Sequence, residues 1–188
     1  KNGKFYVRLS VTLPLPAIQP TKEFIGVDVG VRRALTCSDG YRGPDLRPIM
    51  KKQRVRQADR QRHLHPADFG LMTPQRQAQA HEARRLVSRA LRSRRGIALE
   101  SPDRLPRWKQ WAARFLAKRV LLLAALAGVP CVLVAPPYTS LTCSRCGERD
   151  NTFRHREMFR CHRCGFTANA DRNAALNIAH RASRVSCE

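Results

Sequence analysis

Residues 135–147 read A-P-P-Y-T-S-L-T-C-S-R-C-G, and residues 161–178 read C-H-R-C-G-F-T-A-N-A-D-R-N-A-A-L-N-I. Fourteen residues separate two Cys-x-x-Cys pairs, Cys143 with Cys146 and Cys161 with Cys164, and a glycine follows each pair. Four thiolates at this spacing suit one tetrahedral Zn²⁺. Two residues between cysteines make a tight knuckle that aims both sulfurs at one ion. Gly147 and Gly165 tolerate the positive φ that turns backbone N–H groups toward those sulfurs. Seven residues past Cys164, Asp171 heads a helical pattern with Ala174, Ala175, Ile178 and Ala182 on one face. The stretch therefore reads as a zinc ribbon inserted just ahead of an acid at a helix N-terminus.

Working outward, two more acids stand at strand ends. Phe24 to Val31 (F-I-G-V-D-V-G-V) is apolar except for Asp28, the pattern of a buried central strand. A buried lone carboxylate is costly unless it is paired or bound to a cation. Ala34 to Ser38 predicts the next strand, Asp39-Gly40 a hairpin, and a third strand is expected around Tyr41 to Ile49. Thr73 and Pro74 open a helix whose stripe is Ala83, Leu86, Val87, Ala90 and Leu91, flanked by Arg84, Arg85, Arg89, Arg92, Arg94 and Arg95; Gly96 is expected to stop it. Ile97 to Leu99 is a short strand ending at Glu100. A second helix opens at Pro106 and places Trp108, Trp111, Phe115, Leu116, Leu122 and Leu126 on its core stripe. Cys131 to Ala135 predicts another buried strand, parallel to Ile97–Leu99 because a helix joins them. Lys4 to Leu13 alternates like a strand and Pro14, Pro16 and Pro20 follow as a linker. The segment from Arg42 to Arg62 reads as a short basic helix and a loop.

The 188 residues fit one domain with a small insertion. Lys and Arg number 36 against 14 Asp and Glu, a formal net charge of +22, which marks a polyanionic partner, nucleic acid first. Seven cysteines, an odd count with paired knuckles, argue for metal and a reducing compartment and against a disulfide framework. Cys37 and Cys131 sit in apolar runs as inert core residues, and Cys187 remains over. No signal peptide is visible. The apolar run from Val120 to Val134 is broken by Gly128 and Pro130 and is too short to span a bilayer. A soluble, intracellular protein with no membrane partner is expected. The start at Lys1, inside a strand-like pattern, predicts a piece of a longer protein.

A three-strand meander, then helix, strand, helix, strand and helix, is the element order of the ribonuclease-H-like fold. In that fold carboxylates from the places of Asp28, Glu100 and Asp171 meet at one sheet edge and hold two Mg²⁺ or Mn²⁺ ions. Hard oxygens suit those ions and soft thiolates suit Zn²⁺, so the two sites need not compete. With I-G-V-D-V-G-V around Asp28, I-A-L-E at Glu100, P-P-Y-T-S-L-T-C-S-R-C-G and A-D-R-N-A-A-L-N-I, the chain resembles the C-terminal half of TnpB, the OrfB protein of bacterial insertion sequences, and the related type V CRISPR effector nucleases. The resemblance runs from about Phe24 to Ile178. It implies an α/β, RuvC-like mixed sheet flanked by helices, with an inserted zinc ribbon. The implied division is the end of a preceding region over 1–20, a first core part over 21–137, the ribbon over 138–168 and the final core helix over 169–188.

By the same resemblance the chain is a metal-dependent DNA endonuclease domain, RNA-guided in the full-length family, with DNA and guide RNA as partners in a prokaryotic cytoplasm, nucleoid-associated. Asp28, Glu100 and Asp171 are the implied catalytic metal ligands, with Asp28 bridging. Cys143, Cys146, Cys161 and Cys164 hold structural zinc. Arg145, Arg149, Arg154, Arg160 and Arg163 are the phosphate-contact candidates of the ribbon. The chain departs from the family at Leu141, where Gln is usual, at Asn169, where an Asp is frequent, and in the Ser-Pro after Glu100. The alternative is a truncated, inactive zinc-ribbon remnant that binds nucleic acid. A zinc-ribbon transcription or ribosomal protein explains the cysteines and the charge but leaves Asp28 and Glu100 without a role.

Overall fold

A computed structural model describes residues 10–30, 32–52, 55, 73–104, 107–135 and 137–185. Four strands make the main sheet: β1 (Phe24–Asp28), β2 (Thr36–Cys37), β3 (Gly96–Glu100) and β4 (Cys131–Val134). Their spatial order is β2-β1-β3-β4, with β2 antiparallel to β1 and the rest parallel. Helix α1 (Pro74–Ser93) leads into β3, and α2 (Arg107–Leu126) carries the chain from β3 to β4. A second, three-stranded antiparallel sheet holds β5 (Arg154–His155), β6 (Met158–Arg160) and β7 (Thr167–Asn169). Helix α3 (Ala170–Val185) starts where β7 ends. The molecule is thus a mixed α/β structure.

Strand alternation sorts the two faces of the main sheet. Ile25, Val27, Ile97 and Leu99 pack with Leu86 and Val87 of α1 and Leu116 and Val120 of α2. Phe24, Ala98 and Val134 pack on the other face with Ile178 and Ala182 of α3. Gly26 lies on this second face and lets α3 press directly on β1: a Cβ there would stand 2.0 Å from the Ala175 carbonyl oxygen and 2.5 Å from the Ala179 nitrogen. Phe24 meets the later part of α3 and Gly26 an earlier part. Helix α3 therefore runs antiparallel to β1, and its first turn arrives at the strand's C-terminal end.

Several expectations are met. Thr73 caps α1, its hydroxyl accepting from Arg76 N at 3.3 Å. β3 and β4 are parallel, and Ala174, Ala175, Ile178 and Ala182 are buried. Others need correction. The third meander strand is reduced to single bridges, Thr36 with Arg42 and Arg33 with Asp45. Pro44 interrupts the run, Pro48 has no N–H to donate to a ladder, and the chain is already helical over 47–52. Gly96 does not stop α1: Arg94 caps it in the left-handed region at φ 52°, and Gly96 begins β3. A Cβ on Gly96 would fall 2.5 Å from the Phe24 ring. β4 is an edge strand, with only Val134 fully buried and Leu133 exposed, because no fifth strand covers it among the described residues. The expected strand at Lys4–Leu13 lies largely outside the described residues, and 10–13 are exposed without strand pairing. Also outside them are residues 53–54 and 56–62 of the basic segment, Cys187, and the side chains of Trp108 and Trp111.

Candidate active site and metal centre

Two of the three acids follow from the strand register. Val27 pairs with Leu99 across β1 and β3. Asp28 and Glu100 come next on each parallel strand, so their backbones are neighbours at a spacing of about 4.8 Å. Alternation puts both side chains on the face of Gly26 and Ala98, the α3 face. Both carboxylates are buried, at 7% and 5% exposure, where an uncompensated charge is costly. Asp171, in the first turn of α3, comes to the same end of β1 through the antiparallel packing of α3. The register thus sets Asp28 and Glu100 side by side at the C-terminal edge, where an open α/β sheet carries its ligand site, and α3 brings the turn that holds Asp171 toward that edge. Among the described residues the one group of three or more such ligand atoms within 4.8 Å of one another is the cysteine set.

The loop between β4 and the first knuckle is tied to this edge. Thr139 is buried, and its hydroxyl donates to Glu100 Oε1 at 2.5 Å. Asn177 Nδ2 donates to the carbonyls of Thr139 at 2.8 Å and Thr142 at 2.7 Å. Asn173 Nδ2 donates to the Thr142 carbonyl at 2.8 Å, and its Oδ1 accepts from Ser144 N at 3.0 Å. Arg181 donates to the carbonyls of Ala135 and Pro137. Asn173 and Asn177 are one helical turn apart, so one face of α3 clamps the whole stretch. Sequence reasoning missed Thr139, Asn173 and Asn177. A usable signal was present: two asparagines at i and i+4, poor helix formers in the interior of a helix, both beside its apolar stripe.

Asp171 has a cation of its own. Arg154 Nη2 lies 3.1 Å from Asp171 Oδ1. Asn169 caps α3, its Oδ1 accepting from the N–H groups of Asp171 and Arg172 at 3.2 and 3.3 Å. Asparagine suits this position as well as aspartate does. The helix dipole favours the Asp171 carboxylate here.

The four paired cysteines form the second centre. Their sulfur atoms all lie within 4.8 Å of one another. The two knuckles are built alike. Cys143 N donates to Glu148 O and Gly147 N to Cys143 O, while Cys161 N donates to Phe166 O and Gly165 N to Cys161 O, all at 2.8–3.0 Å. Gly147 and Gly165 take φ of 77° and 70°, as the turn requires. The Phe166 backbone N–H holds the Cys164 thiol down to about 7, and burial pushes Cys143 up to about 12. Phe153, Phe159 and Phe166 pack a small core beside the sulfurs. Four convergent soft ligands with backbone donors fit a tetrahedral Zn²⁺. Cys37 and Cys131 stand apart from the cluster, each with its thiol pushed up to about 12 by burial.

The five ribbon arginines are all exposed. Three of them engage the chain itself: Arg154 with Asp171, Arg163 with Glu148, and Arg149 over the Tyr138 ring at 4.1 Å from its centroid. The hairpin between β5 and β6 is moored to the loops after β1 and β2 and to the start of α3. Arg32 and Arg42 pair with Glu157, whose carbonyl accepts from Ala170 N and Asn169 Nδ2. No helix among the described residues is long and apolar enough to cross a membrane.

Comparison with known proteins now bears on this geometry. Residues 116–178 match the family model described as Cas12f1-like, TNB domain. The chain is 40% identical over 72 residues to the CRISPR-associated endodeoxyribonuclease Cas12f1 of Sulfoacidibacillus thermotolerans, a match of 38% of this chain and 17% of that protein. It is 39% identical over 70 residues to a TnpB-like protein of Aquifex aeolicus, 36% of this chain and 23% of the relative. The matched parts thus span less than a quarter of either relative. Among solved structures, the cryo-EM structure of a Cas12f1–sgRNA–target DNA complex superposes with a TM-score of 0.69 at 23% identity, over 91% of this chain and 52% of that one. A CRISPR–Cas12f ternary complex gives 0.61 at 20% identity, over 90% and 40%. The resemblance to TnpB and the type V effectors drawn from the motifs is borne out, and the fold is that of the corresponding part of Cas12f.

Proposed function

We propose that the chain is the catalytic portion of a TnpB-type, RNA-guided DNA endonuclease, with a ribonuclease-H-like core over 21–137 and 169–188 and a zinc ribbon over 138–168. The observation that carries this reading is the pair Asp28 and Glu100, buried side by side on one face at one sheet edge, toward which the antiparallel packing of α3 carries the turn that holds Asp171. The strand order β2-β1-β3-β4 with helices on both faces fits such a core, its third meander strand reduced to bridges. Two relatives named as endodeoxyribonuclease and TnpB-like protein support it at the level of family.

In this reading Asp28, Glu100 and Asp171 would hold two Mg²⁺ or Mn²⁺ ions, which would supply an activated water and charge stabilisation for the leaving oxygen of a phosphodiester. The chain's own residues prepare the site. Thr139 donates to Glu100 and so sets its rotamer. Asn177 and Asn173 fix the loop that carries Thr139. Arg154 neutralises Asp171. Cys143, Cys146, Cys161 and Cys164 hold structural Zn²⁺ in a closed, four-ligand site, which orders the sheet that carries Arg154. Arg145, Arg149, Arg154, Arg160 and Arg163 face the phosphates of the strand, and the basic surface attracts it. DNA and a guide RNA are the partners, in a prokaryotic cytoplasm.

One observation favours a second reading. Arg154 already satisfies the charge of Asp171, which also suits a remnant that binds nucleic acid without cutting it. Mg²⁺-dependent cleavage of labelled single-stranded DNA by the zinc-loaded chain, beside Asp28→Ala, separates the two. Cleavage that Asp28→Ala removes supports the nuclease. Salt-sensitive binding with no cleavage by either protein selects the remnant.

A further inference from the structure

Tyr138 is the one aromatic residue among the described residues whose backbone sits in the left-handed region, at φ 64°. For a bulky residue with a Cβ this is a genuine outlier, and it costs on the order of 1–3 kcal/mol that surrounding contacts must offset. The contacts are visible. The Tyr138 carbonyl accepts from Leu141 N at 3.1 Å, Thr142 N at 3.0 Å and the Thr142 hydroxyl at 2.8 Å. The clamp of Asn173 and Asn177 then holds Thr142 itself. Glycine or asparagine would satisfy this turn more cheaply.

The strain is not repaid by burial. Tyr138 is 53% exposed, and among the described residues no other tyrosine or phenylalanine is a large exposed apolar residue. Its ring is instead held from one side: the Arg149 guanidinium lies 4.1 Å from the ring centroid, within the range of a cation–π contact. Arg149 is itself placed by the bridge between Thr142 and Arg149 that opens the ribbon. The result is a rigid flat ring backed by a positive charge. It stands in the residue immediately before Thr139, whose hydroxyl touches Glu100.

We propose that Tyr138, backed by Arg149, is a nucleobase-stacking platform that seats one base of the strand presented to the acid edge. The proposal rests on the reading of that edge as the place where a strand is cut. A stacked aromatic suits this task because every base offers a π-face, so the contact positions a strand without selecting its sequence. Backing by a guanidinium adds attraction for the neighbouring phosphate. A tyrosine kept only for the fold would be better buried, and the turn would be better served by glycine.

The test compares binding of a fluorescein-labelled single-stranded DNA with that of the same backbone carrying abasic sites throughout. The zinc-loaded chain is used in Mg²⁺-free buffer, so the ratio is read separately from cleavage and stands or falls apart from it. Wild type is expected to prefer the base-bearing strand. In Tyr138→Ala that preference falls about five- to hundred-fold, while affinity for the abasic strand stays within about twofold. Tyr138→Phe and Tyr138→Trp keep the preference because they keep a ring. Tyr138→Gly loses it with no fall in Tm, since glycine relieves the positive φ. An unchanged preference in Tyr138→Ala overturns the proposal. So does a loss in Tyr138→Phe equal to that in Tyr138→Ala, which would assign the effect to the hydroxyl. A fall in Tm for Tyr138→Gly with the preference intact would make the tyrosine structural and overturn it as well.

Discussion

The Thr139 hydroxyl donates to Glu100 Oε1 at 2.5 Å across 39 residues of chain. The bond is buried at both ends, so it sets the rotamer of a carboxylate that the reading assigns to metal. Thr139→Val keeps the shape and removes the donor. Groups that orient a metal ligand typically matter by 10- to 100-fold in affinity or activity. Thr139→Val is therefore expected to fold normally and to lose cleavage by about that factor, with Mg²⁺ dependence shifted to higher concentration. A Mg²⁺ titration of cleavage beside a thermal melt checks it. Normal cleavage at every Mg²⁺ concentration would detach Thr139 from the site.

Asn177 acts one step further out. It donates to two carbonyls, of Thr139 and Thr142, from the middle of α3. Asn177→Ala takes this donor from both carbonyls in a partly buried place, that of Thr142 keeping its bond from Asn173. The expected cost is about 2–3 kcal/mol of stability, read by urea denaturation of the zinc-loaded protein. Cleavage should fall along with it, since the loop carrying Thr139 is released. Asn177→Asp should be worse than Asn177→Ala, because it turns a donor into an acceptor facing two carbonyls.

Gly26 makes the approach of α3 to β1 possible, and through it the position of Asp171. In Gly26→Ala the new methyl meets backbone atoms of α3 at 2.0 and 2.5 Å, and backbone cannot swing aside as a side chain can. Overpacking at such a contact costs about 3 kcal/mol, and the helix must lift from the sheet. Gly26→Ala is expected to lower the unfolding midpoint and to abolish cleavage together. A stable and active Gly26→Ala protein would mean that α3 does not need this approach.

The same residues mark how far the sequence could be read. Period and punctuation were enough for β1, β3 and the three long helices, because a buried parallel strand and an apolar helical stripe are local patterns, though Leu91, Leu122 and Leu126, expected on the core stripes, are exposed. The cysteine knuckles were legible because metal spacing is short-range. The three acids were legible as strand-end and helix-start positions, and the common face of Asp28 and Glu100 follows from alternation once the register is known. What failed was set by tertiary context. Nothing local distinguishes an edge strand from a buried one, so the exposure of Leu133 in β4 was hidden. The end of α1 was read from Gly96, yet Arg94 takes the left-handed cap and Gly96 is there for the Phe24 ring. The clamp of Asn173 and Asn177 reaches across more than thirty residues to backbone carbonyls, which leave no mark in the sequence.

Cys37 gives a prediction independent of the metal centre. It is buried in β2, and burial pushes its thiol up from 9.0 to about 12. A thiol raised in the folded state adds stability that is full below the unfolded value. That stability is lost as pH rises from about 9 toward 12. Near pH 8 only about one part in ten thousand is thiolate, the reactive form. Cys37 is expected to resist iodoacetamide at pH 8 in the native protein and to react on addition of denaturant, as read by peptide mass mapping. Ready labelling of Cys37 in native protein would contradict its burial.

Zinc binding should carry its own pH signature. Only thiolates ligate, so each protonated cysteine must shed its proton when the ion enters. Burial pushes Cys143 up to about 12, so its proton is displaced by metal throughout the neutral range. Cys164 lies near 7, held down by the Phe166 N–H. Above that pH it is already a thiolate, and below it a further proton competes with zinc. Affinity is therefore expected to fall as pH drops from 8 to 6, more steeply below 7, in competition titrations against a chromogenic chelator. Removing the ion should also free β5, β6 and β7, whose small aromatic core cannot hold a sheet alone. Hydrogen exchange would then rise over 154–169 and stay slow over Phe24–Asp28, because the main sheet has its own core. Cleavage should go with the ribbon, since Arg154 and the Glu157 mooring of α3 leave together. Retained protection over 154–169 after complete zinc removal would show that the four cysteines are not what orders this sheet.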